Sequence, residues 1–122
     1  MTTGGTGIGA RDVTPEATRA VCDRLLEGVA ELMRAEGRRE TPLAALSRAV
    51  CGTVSGTGAT ALILNVPGSP AGAVSSLRAA LPVLPHALDL LEGKTEHGAT
   101  GKSTGEIQRK DGKKGHRNKG KG

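Results

Sequence analysis

The chain has 122 residues, enough for one domain of ordinary size and too few for two. It contains no Phe, Tyr or Trp, so its core must be aliphatic, and it lacks the aromatic rings on which single-stranded nucleic acid usually stacks. Residues 94–122 carry nine Lys/Arg and three Asp/Glu residues, which give a net charge of +6. Residues 1–93 carry eight Lys/Arg and nine Asp/Glu residues, which give a net charge of −1, so the whole chain has a net charge of +5. The basic character therefore belongs to the C-terminal segment alone.

No signal-peptide pattern opens the chain, and no apolar run approaches the roughly 20 residues of a membrane span. We therefore expect a cytoplasmic protein that does not contact a membrane. Cys22 and Cys51 lie far apart with no metal-ligand spacing, and both are predicted to be small buried apolar residues.

The chain begins with a glycine-rich segment, residues 1–9, and no strand is predicted before it. A helix is predicted from Pro15 to about residue 19, because Thr14 can cap it and proline fits its first turn. Residues 21–26 fit either a continuation of this helix or a short strand.

A second helix is predicted over residues 28–36, ended by Gly37. Thr41 and Pro42 then open a short helix that reaches Leu46 or a few residues beyond. Residues 51–59 hold three glycines and several Ser/Thr residues, which predicts a loop.

Residues 60–66 form a continuous apolar run between turn signals, which predicts a strand buried on both faces, as in a parallel sheet. Ser69 can cap the helix that follows, which is predicted over residues 70–81. Prolines then interrupt it before a last helix over residues 86–91, which Gly93 ends. This alternation is typical of an α/β domain, although only one strand is predicted with its own signal.

Residues 94–122 are predicted to be a disordered basic tail, because they offer too few apolar residues to offset the entropy of ordering. Such a tail could contact nucleic-acid phosphates without specificity, but a solvated extension is the favoured interpretation. The segment 98–103 is similar to a phosphate-binding P-loop, yet Glu96 stands where that motif needs its first glycine.

Three loops combine residues suited to a phosphate site. The first is the glycine-rich loop, whose closely spaced amides can surround an anion. This loop nearly matches a dinucleotide-binding fingerprint, but that fingerprint needs a strand directly before it and a helix directly after it, and neither is predicted here. The second contains Ser47 and Arg48, and the third follows the apolar strand at its carboxyl end, where α/β sheets bind ligands. Asp12, beside the first loop, suits Mg²⁺ but is equally suited to be a turn residue before the helix.

The motifs TTGGTG (2–7), RDVTPEAT (11–18), TPLAALSR (41–48) and NVPGSP (65–70), followed by LPVLPHAL (81–88), resemble the molybdopterin-binding domain of MoaB/Mog-type proteins. The resemblance covers residues 2 to about 93. It implies a three-layer α/β/α domain over residues 1–93, usually trimeric, that binds molybdopterin and ATP. It also implies an activity: transfer of AMP from Mg·ATP to the terminal phosphate of molybdopterin, with release of pyrophosphate.

The resemblance also implies site residues. Asp12 matches an acidic residue of the nucleotide–metal chemistry, and Ser47 and Arg48 match a loop near the pocket. The phosphate cradle corresponds to Thr3, Gly4, Gly5, Thr6 and Gly7. The pterin-side loop corresponds to Asn65, Pro67, Gly68, Ser69 and Pro70.

Family members carry an upstream portion with the first strands and a second acidic motif, so we expect this chain to correspond to the C-terminal part and to depend on that portion for activity. Two alternatives stay open. One is a domain related to the molybdenum insertase, whose glycine loop usually lacks the RDVTPE continuation. The other is a non-catalytic remnant that binds molybdopterin weakly or not at all.

Overall fold

A computed structural model describes residues 1–94 of the chain. Its strands are β1 (Thr2–Thr3), β2 (Arg24–Leu25), β3 (Cys51–Ser55) and β4 (Thr60–Val66). Its helices are α1 (Thr14–Val21), α2 (Glu27–Glu40), a 3₁₀ helix (Pro42–Leu46), α3 (Pro70–Ala80) and α4 (Leu84–Leu91). The predicted tail, apart from Lys94, lies outside the described residues. Within residues 1–94 no helix is long and apolar enough to cross a membrane.

The strands form one mixed sheet in the order β1-β4-β3-β2. β4 has the predicted bounds, but it pairs antiparallel with β3 over residues 60–64 and parallel with β1 only at Asn65 and Val66. The expectation of a purely parallel sheet with one evident strand is therefore wrong. The largely apolar sequence of β4 reflects helices on both faces rather than parallel neighbours.

The prediction of a loop over residues 51–59 is also wrong, because residues 51–55 form β3. Gly52 lies inside this strand. A glycine is needed there because a Cβ at this position would come within 2.6 Å of the Cys22 sulfur and 2.8 Å of the Arg24 carbonyl oxygen. Only Gly56 and Gly58 belong to the turn of the hairpin, and Gly58 has a positive φ of 87°. One of the three glycines is thus a packing position, which sequence composition does not distinguish from a turn position.

The sheet is covered by helices on both faces, which confirms the three-layer α/β/α fold. Successive side chains of a strand alternate between faces, so Leu64 and Val66 of β4 share one face with the α2 residues Ala30 and Met33 in the main core. Asn65 points to the opposite face, where its side chain contacts Thr18 of α1. α2 and α3 pack against each other on the first face.

Residues 21–26, whose structure the sequence left open, contain the end of α1 and the short strand β2. Thr14 does not cap α1 as predicted: it is the first helical residue, and Val13 is the N-cap without a side-chain bond. Ser69 does cap α3, because its hydroxyl oxygen accepts a hydrogen bond from the Gly72 amide (3.2 Å). The last helix begins at Leu84, two residues earlier than predicted, because proline is tolerated in a first turn.

The two cysteines, both predicted to be buried apolar residues, differ in how deeply they are buried. Cys51 is buried in the main core, and burial raises the pKa of its thiol to about 11. Cys22 is half-buried beside Gly52, and burial raises the pKa of its thiol as well. A raised pKa disfavours the reactive thiolate, so neither thiol is suited to nucleophilic chemistry.

Candidate functional site

Two of the predicted loops meet at the carboxyl ends of β1 and β4. The Gly4 amide donates to the Val66 carbonyl oxygen (3.0 Å), and the Thr3 hydroxyl donates to the Pro67 carbonyl oxygen (3.0 Å). A Cβ on Gly68 would lie 3.3 Å from the Cα atom of Gly4, so these two backbones approach each other closely. The short strand β1, which the sequence did not predict, therefore places the glycine loop beside the Pro67–Pro70 loop.

The glycine loop is held against the start of α1 by Thr14. The Thr14 hydroxyl donates to the Gly4 carbonyl oxygen (2.9 Å), and the Thr14 amide donates to the Gly5 carbonyl oxygen (3.2 Å). Gly4 and Gly5 have φ values of 87° and 68°, and a Cβ on Gly5 would collide with the Thr14 hydroxyl. Glycine is required at both positions because this backbone region is costly for other residues.

Arg48 holds the other side of the glycine loop. Its Nε donates to the Gly7 carbonyl oxygen (2.7 Å), its Nη2 donates to the Asp12 carbonyl oxygen (2.5 Å), and its Nη1 forms an ion pair with Glu16. The pKa of the Glu16 carboxyl is lowered, chiefly by the hydrogen bond from Arg48. These bonds occupy the three nitrogen atoms of the guanidinium, so the contacts give Arg48 a bracing role; its prediction as a ligand-binding residue stays a prediction.

Asp12 shapes the far end of the same loop. Its Oδ2 accepts a hydrogen bond from the Gly9 amide (2.9 Å), and a Cβ on Gly7 would lie 2.8 Å from that oxygen. The second carboxylate oxygen has no hydrogen-bond partner among residues 1–94. Asp12 therefore acts as a turn residue through one oxygen, and the predicted metal contact of the other oxygen stays a prediction.

A cleft of about 410 Å³ lies where the three loops approach α2 and α3; we call it the loop cleft. Its walls are mainly apolar, and Met33 lies on its α2 side. The predicted site residues that line it are Thr6, Gly7, Ser47, Pro67 and Ser69. The structure thus brings one or two residues from each of the three loops to a single cleft.

The other predicted residues do not line the loop cleft. The backbones of Thr3, Gly4, Gly5, Gly68 and Pro70 form the loops behind it, and Asp12 and Arg48 lie on the glycine-loop side. Asn65 is fully buried: its amide nitrogen donates to the hydroxyls of Thr2 (2.9 Å) and Thr18 (3.0 Å), and its oxygen accepts from the Val50 amide (3.1 Å). These contacts give Asn65 a structural role, and its predicted ligand contact stays a prediction.

Several cleft residues were not predicted from the sequence. They come from the helices rather than the loops, and the polar ones are Arg34, Glu40, Thr41, Ser75 and Ser76. Ser75 and Ser76 are 3% and 6% exposed, an unusual burial for two adjacent serines within a helix. The adjacent serines in an otherwise apolar helix were the only available signal.

A second cleft of similar size, about 420 Å³, lies between α1 and α2 and includes Arg19, Glu31, Arg34 and Arg48 among its lining residues. We call it the α1–α2 cleft. It contains no glycine of the first loop and no residue of the Pro67–Pro70 loop. The loop cleft is therefore the candidate site, because the loop residues meet there and not in its neighbour.

The described residues contain no group of three or more His, Cys, Asp or Glu side chains that could hold a metal ion on their own. Mg²⁺ in nucleotide sites is usually held by one or two carboxylates together with water and substrate phosphates. The free oxygen of Asp12 fits this second arrangement, in which the protein supplies a single ligand.

Known proteins of one family are similar to this chain in sequence. Residues 1–86 match the family model described as "Probable molybdopterin binding domain". The molybdopterin adenylyltransferase of Helicobacter pylori J99 is 43% identical over 93 residues, which are 76% of this chain and 51% of that protein. The Drosophila melanogaster molybdenum cofactor synthesis protein cinnamon is 41% identical over 91 residues, 75% of this chain and 14% of that protein.

Solved structures show the same fold. The molybdopterin biosynthesis enzyme MoaB of Thermus thermophilus aligns with a TM-score of 0.65 and 62% identity, covering 75% of this chain and 55% of that one. The Mog protein of Mycobacterium ulcerans aligns with a TM-score of 0.68 and 45% identity, covering 75% and 57%. The chain spans about half the length of the molybdopterin adenylyltransferase of Helicobacter pylori. It therefore belongs to the family of molybdopterin-binding domains of the MoaB/Mog type.

Proposed function

We propose that the chain carries the ligand-binding half of a molybdopterin adenylyltransferase. In this reaction an oxygen of the terminal phosphate of molybdopterin attacks the α-phosphorus of ATP. The bond from that phosphorus to the bridging oxygen breaks, and pyrophosphate leaves. The expected trimer and the cytoplasmic location belong to the same proposal. Because the chain spans only half of the relatives named for this activity, the proposal concerns the chain together with the remaining part of such a domain.

The observation that carries the proposal is the convergence of Thr6, Gly7, Ser47 and Ser69 on one cleft of about 410 Å³. That volume suits a ligand of the size of a substituted heterocycle. Ser69, Ala71 and Gly72 line the cleft at the start of α3, where the helix dipole and the first amides favour a phosphate. The apolar walls near Met33 suit the faces of a pterin ring.

Asp12 is the residue that we propose for the metal. Mg²⁺ bound with ATP neutralises phosphate charge during the transfer. The free oxygen of Asp12 supplies one ligand to that ion, and the Gly9 amide fixes the orientation of the carboxylate. The glycine loop, braced by Thr14 and Arg48, keeps Asp12 beside the amides of the phosphate cradle.

One observation favours the non-catalytic alternative: Asp12 does not line the loop cleft, and its bond to Gly9 is sufficient to explain it as a turn residue. In that case the chain binds molybdopterin and does not catalyse the transfer. The two functions differ in what removing the Asp12 charge does.

The test uses the full chain co-expressed with the part of the Helicobacter pylori relative that it does not span. Adenylylated pterin is measured with Mg·ATP in excess, beside direct binding of molybdopterin. Asp12→Asn keeps the size and should lower turnover by roughly a hundredfold, because the metal acts mainly on the transition state. Pterin binding should change little.

Asp23→Asn is the matched control, because the Asp23 carboxylate also accepts a backbone amide bond, from Ser55, and lies away from the loop cleft. This variant should turn over normally. Normal turnover of Asp12→Asn, or loss of pterin binding with unchanged chemistry, contradicts the metal role. Pterin binding without any turnover, even in the unaltered protein, favours the non-catalytic function.

A further inference from the structure

A ligand that carries several phosphate charges needs a cation in its binding site, and Arg48, the basic residue among those predicted for the site, is already used. The guanidinium of Arg48 is bonded to Gly7, Asp12 and Glu16, and Arg48 does not line the loop cleft. The positive charge must therefore come from another residue. This step rests on the proposed function, because it takes a phosphate-bearing ligand as the occupant.

Arg34 is the basic residue among those that line the loop cleft. It lies on α2, is half-buried, and also lines the α1–α2 cleft, so its side chain lies in the wall between the two. Within residues 1–94 its guanidinium has one hydrogen bond, a long one of 3.4 Å from Nη1 to the Ala49 carbonyl oxygen. An arginine carries five N–H donors, so most of those of Arg34 have no protein partner in the described part of the chain.

Ser76 offers a second unused donor from the facing helix α3. It is 94% buried, lines the loop cleft, and its hydroxyl has no hydrogen-bond partner among the described residues. The adjacent hydroxyl of Ser75 also lacks a partner, but its oxygen is almost inaccessible. Buried hydroxyls are normally hydrogen-bonded, so an unpaired one beside a cleft points to a ligand atom as its partner.

We propose that Arg34 and Ser76 form an anion-binding wall of the loop cleft and hold a phosphate of the bound ligand. A guanidinium and a hydroxyl together donate the charge-assisted bonds that phosphate oxygens accept most strongly. Glu40, the acidic residue among those that line the cleft, is exposed at the end of α2, six residues after Arg34. The loop residues that line the cleft are all uncharged, so they do not supply the positive charge that Arg34 supplies.

The phosphate could belong to the pterin or to the nucleotide, and separate titrations distinguish the two. The full 122-residue chain, co-expressed with the same part of the Helicobacter pylori relative as above, is titrated calorimetrically with molybdopterin and, independently, with ATP. Arg34→Gln should weaken binding of the ligand held there by roughly ten- to a hundredfold. Arg34→Lys, which keeps the charge, should recover part of this loss. Ser76→Ala should weaken the same ligand roughly fivefold.

The chain offers matched controls for both variants. Arg38→Gln removes the same charge from the same helix at a position outside the loop cleft, and it should change affinity less than about twofold. Ser55→Ala removes an exposed hydroxyl that lies outside the loop cleft and should leave affinity unchanged. Residues 95–122 are identical in every variant, so any phosphate binding by that basic segment cancels in the comparison.

Arg34→Gln also loses the hydrogen bond to Ala49, so its melting temperature is measured to show that it is folded. If Arg34→Gln is unfolded, the affinity of Ser76→Ala alone tests the inference. If Ser76→Ala and a folded Arg34→Gln bind both ligands as tightly as the unaltered protein does, the inference is overturned. The proposed function then still stands. Equal losses in Arg34→Gln and Arg38→Gln also overturn it, because they show only a general charge effect. If the unaltered chain binds neither ligand, both proposals fail.

Discussion

The glycine loop and the helical wall of the loop cleft differ in how their polar groups are used. In the glycine loop, the carbonyl oxygens of Gly4, Gly5 and Gly7 accept bonds from Thr14 and Arg48, and Asp12 accepts the Gly9 amide. On the helical wall, Ser75 and Ser76 have hydroxyls without a partner among the described residues, and Arg34 has a single long bond. The carbonyl oxygens of the glycine loop are therefore saturated by bonds within the chain, whereas the polar side chains of the helical wall are not.

This difference separates residues that build the site from residues that bind its ligand. A saturated group cannot bond a ligand without first breaking a bond within the fold, whereas an unsaturated buried group gains a partner when the ligand arrives. Removing a saturated group should therefore cost stability, and removing an unsaturated one should cost affinity or nothing. Substitutions in and around the two regions test this division, beginning with the largest expected effect.

Asn65→Ala should lower the free energy of unfolding by about 3 kcal/mol, because it removes three buried side-chain bonds and leaves the Val50 amide unpaired. Urea unfolding of the full chain measures the change. Thr2→Val removes a single one of these bonds, at a more exposed position, and should cost about 1 kcal/mol. Equal stability of Asn65→Ala and the unaltered chain would show that the saturated network is not structural.

Gly5→Ala should cost about 2–3 kcal/mol, because a positive φ and a collision with Thr14 act together. Gly58→Ala is the control: its φ of 87° is similarly unfavourable, but no atom lies within 4 Å of the added Cβ. It should cost about 1 kcal/mol from the backbone alone. If the two variants unfold at the same urea concentration, Thr14 does not constrain the loop as described.

Ser75→Ala should raise the free energy of unfolding by about 1 kcal/mol, because it removes a buried hydroxyl without a partner and improves helix propensity. Thermal unfolding of the full chain is a sufficient measurement. A loss of stability would mean that this hydroxyl has a hydrogen-bond partner in solution, and the contrast between the two regions would weaken.

The smallest expected effect concerns Glu16. Its pKa lies below the ordinary value of 4.5, mainly because of the hydrogen bond from Arg48. A carboxyl with a lowered pKa in the folded state stabilises the fold above its ordinary pKa, and this contribution is lost as the pH falls through the lowered value. The side chain is exposed, so the change in stability should be small.

An NMR titration of the Glu16 carboxyl tests this point. In Arg48→Gln the pKa of Glu16 should move back up toward 4.5, and in Arg39→Gln, which breaks an exposed pair with Glu36, it should not change. If the pKa of Glu16 is the same in the unaltered chain, Arg48→Gln and Arg39→Gln, the hydrogen bond between Arg48 and Glu16 is contradicted.

Local signals in the sequence located the helices but not all of their ends, since Thr14 does not cap α1 and α2 continues past Gly37 to Glu40. Ser69 and Pro70 predicted the start of α3 correctly. The strands were harder, since β1 has two residues and exists only through its pairing with Asn65 and Val66. Gly52 was mistaken for a loop residue, because its reason for being glycine is the Cys22 side chain, 30 positions earlier in the chain.

The loops of the site could be predicted from the sequence. Which of their polar groups bond within the fold and which remain unpaired could not. Arg48 and Asn65 have the residue types of ligand-binding groups, and the sequence does not show that their polar atoms also bond within the fold. Arg34 and Ser76 lie on helices with no motif around them, and only the packing of α2 against α3 brings them to the loop cleft. Residue type shows what a group can bind, whereas its contacts show whether it is free to bind.

The central claim, that the loop cleft is the ligand site, is tested most directly by amide NMR shifts of the full, ¹⁵N-labelled chain. The chain is co-expressed with the part of the Helicobacter pylori relative that it does not span, and is titrated with molybdopterin. We expect saturable shifts at Gly7, Ser47, Gly72 and Ser76, which surround the loop cleft. Amides near Glu31, on the α1–α2 cleft, should move little. Shifts confined to the α1–α2 cleft, or no saturable shifts at all, would contradict the claim.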